Sequence, residues 1–370
     1  MKPIVQFLKK NPLSVLLVAL PLIVVGQSLG WSPAAIFALS SIGIIPMASF
    51  IGKATEDLAT HTGPQMGALL NATLGNAAEL IITITAVRAG LLQLVLASIT
   101  GSIIGNLLLV LGLSMVVGGV RHGLQKFDKA TASRNAILLV LAVIALAIPS
   151  VFSVSMGVPP LTVTEAGHSP IEALSLGVAV IMLVLYALGL FDAARTARAA
   201  GSRHSPISVT LPASEAPNWA IWKAIAILTL STGGVVWLSE ALVHVAQEVI
   251  VSVGISEFFL GIILVPLIGN VAEHLVAVQV AAKNKMDLST EIAVSSSIQI
   301  ALFVAPLLVF ISLLLGHPLQ LIFNQFELLA LMAAVVIAVL VSNDGESTWL
   351  EGAALLGIYL ILGMAFFVLP

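Results

Sequence analysis

Long apolar runs dominate this sequence and leave little room for any fold other than a bundle of membrane-crossing helices. An α-helix needs about 17–25 such residues to cross a bilayer. Only 9% of the 370 residues are charged, against about 25% in soluble domains. Eleven runs are long enough, near residues 13–29, 34–57, 66–88, 93–120, 131–152, 170–191, 219–247, 256–282, 288–315, 325–341 and 348–369. The sequence therefore predicts an all-α integral membrane protein with about eleven transmembrane helices.

The basic residues predict how these helices are oriented. If the N-terminus is cytoplasmic, every one of the 15 Lys and Arg residues except Arg88 falls on the cytoplasmic side. Cytoplasmic loops carry such an excess of positive charge, so we expect the C-terminus outside. Lys2, Lys9 and Lys10 before the first run also resemble the start of a signal peptide. Because no good cleavage site follows, we expect the first helix to be retained.

One polar segment, 192–218, is a candidate linker between two sets of five runs. Because five is odd, the two sets must cross the membrane in opposite directions. Inverted repeats of this kind are common in secondary transporters. The chain then divides into an N-terminal transmembrane helix (1–33), a first five-helix repeat (34–191), a cytoplasmic linker (192–218) and a second, inverted five-helix repeat (219–370).

The motif Gly-Asn-x-Ala-Glu occurs once in each repeat and ends at Glu79 and at Glu273. The surrounding residues 67–113 align with 261–307 without a gap. Both glutamates fall near mid-span, where a carboxylate is costly and therefore indicates function. Because the repeats are inverted, we expect the two carboxylates to converge. The alternative is a pair of buried Glu-Asn contacts that only hold helices together.

Neighbouring polar residues would complete a set of oxygen ligands. Asn76 and Asn270 lie three residues before the glutamates, on the same helical face. The next helix of each repeat is also polar on one face, with Ser98, Ser102, Asn106, Ser295, Ser296 and Gln299. Ca²⁺ takes six to eight oxygen ligands, and two carboxylates would neutralise a divalent charge. The sequence therefore predicts a site for a hard divalent cation.

Proline 266 adds a second expectation about this region. It cannot donate an amide hydrogen bond to the carbonyl of Ile262. A carbonyl freed inside a membrane needs a partner, and a bound cation would be one. The alternative is an ordinary proline kink.

An empty site would behave differently from a loaded one. Two carboxylates in a low-dielectric region repel each other and lose their hydration, and both effects favour protonation. A site that binds either a divalent cation or protons, and opens alternately to each side, is an exchanger. Glu56 and Glu240, near the ends of the second and seventh spans, are weaker candidates for gating or ion access.

These residues resemble those of the calcium/proton exchangers in the cation/calcium antiporter superfamily. The matching segments are 44–59, 67–81, 97–112, 261–278, 295–306 and 343–352. The resemblance implies Glu79 and Glu273 as cation and proton ligands, with supporting ligands at Asn76, Asn270, Ser102 and Gln299. It also implies export of Ca²⁺, or in some members Mn²⁺, against inward proton flow. Two features depart from the family: the linker is not acidic, and Ser295 replaces a usual glycine.

Several alternatives stay open at this stage. A sodium-coupled exchanger would use the same carboxylates, and a passive channel would show uncoupled flux, although no filter motif is present. An intramembrane enzyme would need an acidic or histidine cluster facing a cleft, so we expect no enzyme. We expect no cofactor and no nucleic-acid partner. The expected partners are membrane lipid, Ca²⁺ or another divalent cation and protons, in a prokaryotic plasma membrane; formation of a homo-oligomer stays open.

Overall fold

The structure is a computed structural model that describes residues 11–62, 64–157, 170–200 and 219–368. In this part of the chain each of the eleven predicted runs coincides with helix. Eight helices are long and apolar enough to cross a membrane, and two shorter apolar ones span Pro12–Ser28 and Gln325–Val341. The chain is therefore an all-α, multi-pass membrane protein, as predicted.

The helices and strands follow one another in this order. A 3₁₀ turn (Pro12–Val18) leads into α1 (Ala19–Ser28), α2 (Pro33–Thr62), α3 (Pro64–Leu74), α4 (Ala77–Arg88), α5 (Leu92–Ile104), α6 (Leu111–His122), β1 (Gln125–Lys126), α7 (Lys129–Ser155) and α8 (Pro170–Ala200). The rest comprises α9 (Ile221–Val253), α10 (Glu257–Phe259), α11 (Val265–Ala281), α12 (Met286–Gln299), α13 (Ala305–Leu314), α14 (Gln325–Val341), β2 (Glu346–Ser347) and α15 (Trp349–Val368).

Two boundaries differ from the sequence-based expectation. The predicted third span is broken into α3 and α4, with Gly75 and Asn76 between them. Helix α8 continues to Ala200, which is past the predicted start of the linker at residue 192. The remainder of the predicted linker, 201–218, and the first ten residues lie outside the described part of the chain.

Three single π-helical turns interrupt the long helices in the ranges that the structure describes. They lie at Gly105–Val110, Leu260–Leu264 and Ile300–Val304. The first and third follow α5 and α12, at equivalent positions of the aligned segments. Such π turns are found mostly as local distortions at functional sites. Both flank the helices that carry the predicted polar faces.

The carbonyl of Ile262, which Pro266 leaves without its usual donor, packs against helix α5. A β-carbon built on Gly101 would overlap that carbonyl, and one built on Gly261 would lie 2.5 Å from the β-carbon of Ala97. Small residues allow membrane helices to approach this closely. The freed carbonyl therefore lies in a close contact between helices, and its binding of a cation stays a prediction.

The two ends of the bundle are held by different contacts. At one end β1 pairs with β2 in antiparallel register, and Lys126 lies 3.1 Å from Glu346. At the opposite end Arg88 forms an exposed ion pair with Glu240 at 3.4 Å. Contacts between segments distant in sequence thus occur at both ends.

Two further contacts at the β1–β2 end involve backbone. Asp128 caps α7 by accepting hydrogen bonds from the amides of Ala130 and Thr131 at 3.0 and 3.2 Å. Helices α6 and α15 touch through glycine: a β-carbon on Gly352 would lie 2.6 Å from the carbonyl oxygen of Gly112. Their backbones are therefore in direct contact.

Candidate ion-binding site

The structure brings the two Gly-Asn-x-Ala-Glu motifs together. Glu79 lies in the first turn of α4 and is 2% exposed, and Glu273 is partly buried in α11. A β-carbon on Gly269 would lie 3.7 Å from Cβ of Glu79, and one on Gly75 would lie 3.7 Å from Oε1 of Glu273. Each glutamate thus packs on the glycine of the other motif.

A serine holds each glutamate. The Ser102 hydroxyl donates a hydrogen bond to Oε1 of Glu79, and the Ser296 hydroxyl donates to Oε2 of Glu273 at 3.1 Å. These serines occupy equivalent positions on α5 and α12. The carboxylates are therefore oriented by the same interaction in both halves.

The asparagines connect the halves through the same two serines. Asn270 donates to the Ser102 hydroxyl at 3.3 Å, and the Ser296 hydroxyl contacts Oδ1 of Asn76 at 3.4 Å. Each serine thus joins the glutamate of its own half to the asparagine of the other. This pattern is what two related halves facing each other would produce.

Gln299 breaks this symmetry. Asn76 donates to its side-chain oxygen at 2.7 Å, whereas the aligned position of the first half is Gly105. The two asparagines also differ in backbone, because Asn76 lies in the break between α3 and α4 and Asn270 lies inside α11. The cluster is therefore symmetric in its carboxylates and serines, and asymmetric around them.

Sequence reasoning missed one buried pair beside the cluster. Nε2 of His274 lies 3.1 Å from Oδ1 of Asn106, and both residues are buried. The available signal was the position of His274 directly after Glu273.

Two serines of the predicted polar faces make no such contact. The hydroxyls of Ser98 and Ser295 are buried without a hydrogen-bond partner among the described residues. These two serines of the predicted polar faces do not join the cluster.

The two weaker candidates lie outside the cluster. Glu240 lies inside α9 and Arg88 ends α4, and both side chains are more than half exposed. Glu56 is partly buried in α2, beside Asp57, whose carboxylate accepts the amide of Trp219 at 3.2 Å. Roles for Glu56 and Glu240 in gating or ion access stay predictions.

The chemistry of the cluster is that of an oxygen site. The acidic residues of the cluster are Glu79 and Glu273, and in the described ranges no group of three or more His, Asp or Glu side chains is placed to hold a metal ion. Oε2 of Glu79 is buried and has no hydrogen-bond partner among the described residues. Leaving such an acceptor unsatisfied costs about 1–3 kcal/mol or more. This oxygen is thus available to a cation or a proton.

Comparison with known proteins agrees with this architecture. The sodium/calcium exchanger protein family matches residues 32–192 and 223–368, and the chain belongs to this family. Among its relatives, the Ca²⁺/H⁺ antiporter ChaA of Bacillus subtilis is 43% identical over 350 residues, covering 94% of this chain and 96% of the relative. The Ca²⁺/H⁺ antiporter of Aphanothece halophytica is 42% identical over 365 residues, covering 96% of each.

A solved structure is similar over nearly the whole chain. The crystal structure of the selenium-substituted Ca²⁺/H⁺ antiporter protein YfkE matches with a TM-score of 0.81 at 39% identity, covering 97% of this chain and 100% of that one. The resemblance noted from the sequence motifs is therefore confirmed.

Proposed function

We propose that this protein is a secondary antiporter that exports Ca²⁺ from the cytoplasm in exchange for protons. The observation that carries the proposal is the reciprocal arrangement of Glu79 and Glu273, each held by a serine and packed on the other motif. The relatives named Ca²⁺/H⁺ antiporter, which match nearly full length, support the same ion pair.

The coupling follows from the charge of the site. With Ca²⁺ present, the two carboxylates neutralise the divalent charge, and amide and hydroxyl oxygens supply further ligands. Without it, two negative charges would remain in a poorly hydrated region, and protonation removes them. Ca²⁺ and protons therefore exclude one another. A carrier that exposes this site alternately to each side exchanges one for the other.

Among the alternatives, proton coupling is better supported than sodium coupling, because the close relatives are named proton antiporters. The same names support a carrier over a passive channel. Mn²⁺ as a second substrate stays a proposal. We also propose a prokaryotic plasma membrane location with the N-terminus in the cytoplasm and the C-terminus outside, on the distribution of the basic residues and the bacterial origin of ChaA.

Proteoliposomes test the coupling ion directly. We expect an imposed proton gradient to drive accumulation of ⁴⁵Ca²⁺ and an equal sodium gradient to leave it unchanged. Sodium-driven accumulation, or Ca²⁺ flux that ignores the proton gradient, would overturn the proposal.

Substitution of the glutamates tests the site. Glu79→Gln or Glu273→Gln should lower proton-driven uptake by at least about 100-fold, equivalent to roughly 2.7 kcal/mol. Glu79→Asp, which keeps the charge but shortens the reach, should retain partial activity. The control is Glu248→Gln, the same chemical change at an exposed position of α9. Normal uptake by either glutamine variant would remove that residue from the site.

A further inference from the structure

A cavity lies away from the Glu79–Glu273 cluster, where α7, α12 and α14 meet at the β1–β2 end of the bundle. Its volume is about 320 Å³. The charged residues in its walls are Asp128, Asp287, Glu291 and Arg134, so three acidic groups face one basic group. The exposed side chains of Asp128, Arg134 and Asp287 mark its opening to the surface. The cavity therefore combines negative charge with access from the cytoplasmic side predicted above.

Three buried side-chain oxygens in the walls of this cavity lack a hydrogen-bond partner in the described part of the chain. Glu291 and Thr290 are each 5% exposed and Asn135 is 2% exposed. Oε1 of Glu291, Oγ1 of Thr290 and Oδ1 of Asn135 lack a hydrogen-bond partner among the described residues. A buried charge without a partner costs several kcal/mol, and each unsatisfied neutral group costs about 1–3 kcal/mol. Together these costs indicate a bound cation that all three oxygens can coordinate.

The nearby charged groups do not fill that role. Arg134 donates to the Thr131 hydroxyl at 2.9 Å, and the Asp128 carboxylate is occupied by capping α7. Oδ1 of Asp287 accepts the amide of Asp128 at 2.5 Å, which leaves its second oxygen available. Asp287 and Glu291 are four residues apart and share one face of α12. Two carboxylates, an amide oxygen and a hydroxyl are the donors that hard divalent cations prefer.

We propose that Asp287, Glu291, Thr290 and Asn135 bind a divalent cation such as Ca²⁺ in this cavity. The site is separate from the Glu79–Glu273 cluster and shares no ligand with it. Its two carboxylates neutralise the divalent charge, and the buried oxygens of Thr290 and Asn135 gain the partner that they lack.

A polar stripe links this site to the cluster. Asp287, Glu291, Ser295 and Gln299 recur at every fourth residue of α12 and so lie on one face. Gln299 contacts Asn76 in the cluster, about 12 Å along the helix from Glu291 at 1.5 Å per residue. The aligned positions of the first half, Gln93, Ala97, Gly101 and Gly105, carry no acid. If the protein is the proposed exchanger, the cavity holds Ca²⁺ on its way from the cytoplasm.

Equilibrium binding of ⁴⁵Ca²⁺ to the purified full-length protein tests the site itself. The double variant Glu79→Gln/Glu273→Gln removes the central carboxylates and should still bind one Ca²⁺ per chain. Adding Glu291→Gln should abolish this residual binding, whereas adding the exposed control Glu248→Gln should leave it unchanged. No binding by the double variant, or binding that survives Glu291→Gln, would overturn the proposal.

A milder variant covers the case in which the triple variant aggregates on size-exclusion chromatography. Thr290→Val keeps the shape but removes one oxygen, and in the double-variant background it should weaken Ca²⁺ binding about tenfold. Unchanged affinity would refute the site. Residual binding that depends on Glu291, in a protein that shows no proton-coupled uptake, would instead refute the proposed function and leave this inference standing.

The delivery role has its own measurement. Glu291→Gln in the otherwise native protein should raise the Ca²⁺ concentration for half-maximal uptake from the cytoplasmic side about tenfold, with the maximal rate preserved. An unchanged half-maximal concentration would refute delivery through the cavity.

Discussion

Gly101 is the point at which one added methyl group should disturb the transport site. It lies on α5, one residue before Ser102, and faces the backbone of the π turn at Leu260–Leu264. In Gly101→Ala the new β-carbon would lie 2.5 Å from both the carbonyl carbon and the α-carbon of Ile262. Ordinary carbon–carbon contacts are about 3.5–4.0 Å. The two segments must therefore separate by about 1 Å.

The expected loss has two parts. Overpacking of a close contact costs about 1–3 kcal/mol of stability. The separation also acts on the site, because Asn270 follows Ile262 on the same segment and donates to Ser102 at 3.3 Å. An added 1 Å would place this pair at about 4 Å, beyond hydrogen-bonding distance. We therefore expect both lower thermal stability and a loss of Ca²⁺ uptake that exceeds the loss of folded protein.

Thermal unfolding in detergent and ⁴⁵Ca²⁺ uptake into inside-out vesicles, normalised to folded protein, measure the two parts. Gly105→Ala is the control, because a β-carbon there meets nothing within 4 Å. Wild-type stability and uptake in Gly101→Ala would show that this contact is loose and would refute the reasoning. Equal losses in both variants would show that the effect comes from alanine and not from the contact.

Three further predictions concern smaller contacts. Ser102→Ala and Ser296→Ala each remove one bridging hydroxyl, and initial rates of Ca²⁺ uptake should fall by a similar factor of about ten; a large difference between them would show that the bridges are not equivalent. Arg88→Gln should change the free energy of unfolding by less than about 1 kcal/mol, because this ion pair is exposed, and a larger loss on urea titration would contradict that. The pKa of Asp128 is lowered, chiefly by the hydrogen bond from the Thr131 hydroxyl. Its contribution to stability should therefore be present above its ordinary pKa and lost as the pH falls through the lowered one, and thermal unfolding of Asp128→Asn should show a weaker acid dependence.

Much of the fold could be predicted because a lipid bilayer restricts the backbone conformations that a spanning segment can adopt. Apolar runs that cross a bilayer must be helical to satisfy their own backbone, and the eleven runs read from the sequence all coincide with helix. Glu79 and Glu273 were visible for the same reason, since few carboxylates fall within such runs. The composition and the repeated motif carry this information directly.

The details of the site depend on contacts between distant helices. The same motif breaks a helix at Gly75–Asn76 and continues one at Gly269–Asn270, so the local sequence does not decide the outcome. The difference coincides with a tertiary contact, because Asn76 bonds Gln299 and the aligned position for Asn270 is the glycine at 105. The pairing of His274 with Asn106 likewise depends on how α11 and the π turn after α5 are rotated towards each other.

The glycine contact between α6 and α15 has a consequence for how such a molecule can move. These helices come from different repeats, yet their backbones touch at Gly112 and Gly352, and the β1–β2 ribbon next to them ties the same two repeats. Because the two backbones are in direct contact at Gly112 and Gly352, we expect this pair to move together. We therefore expect the units that move to differ from the two repeats predicted from the sequence, with any rocking motion between other helices.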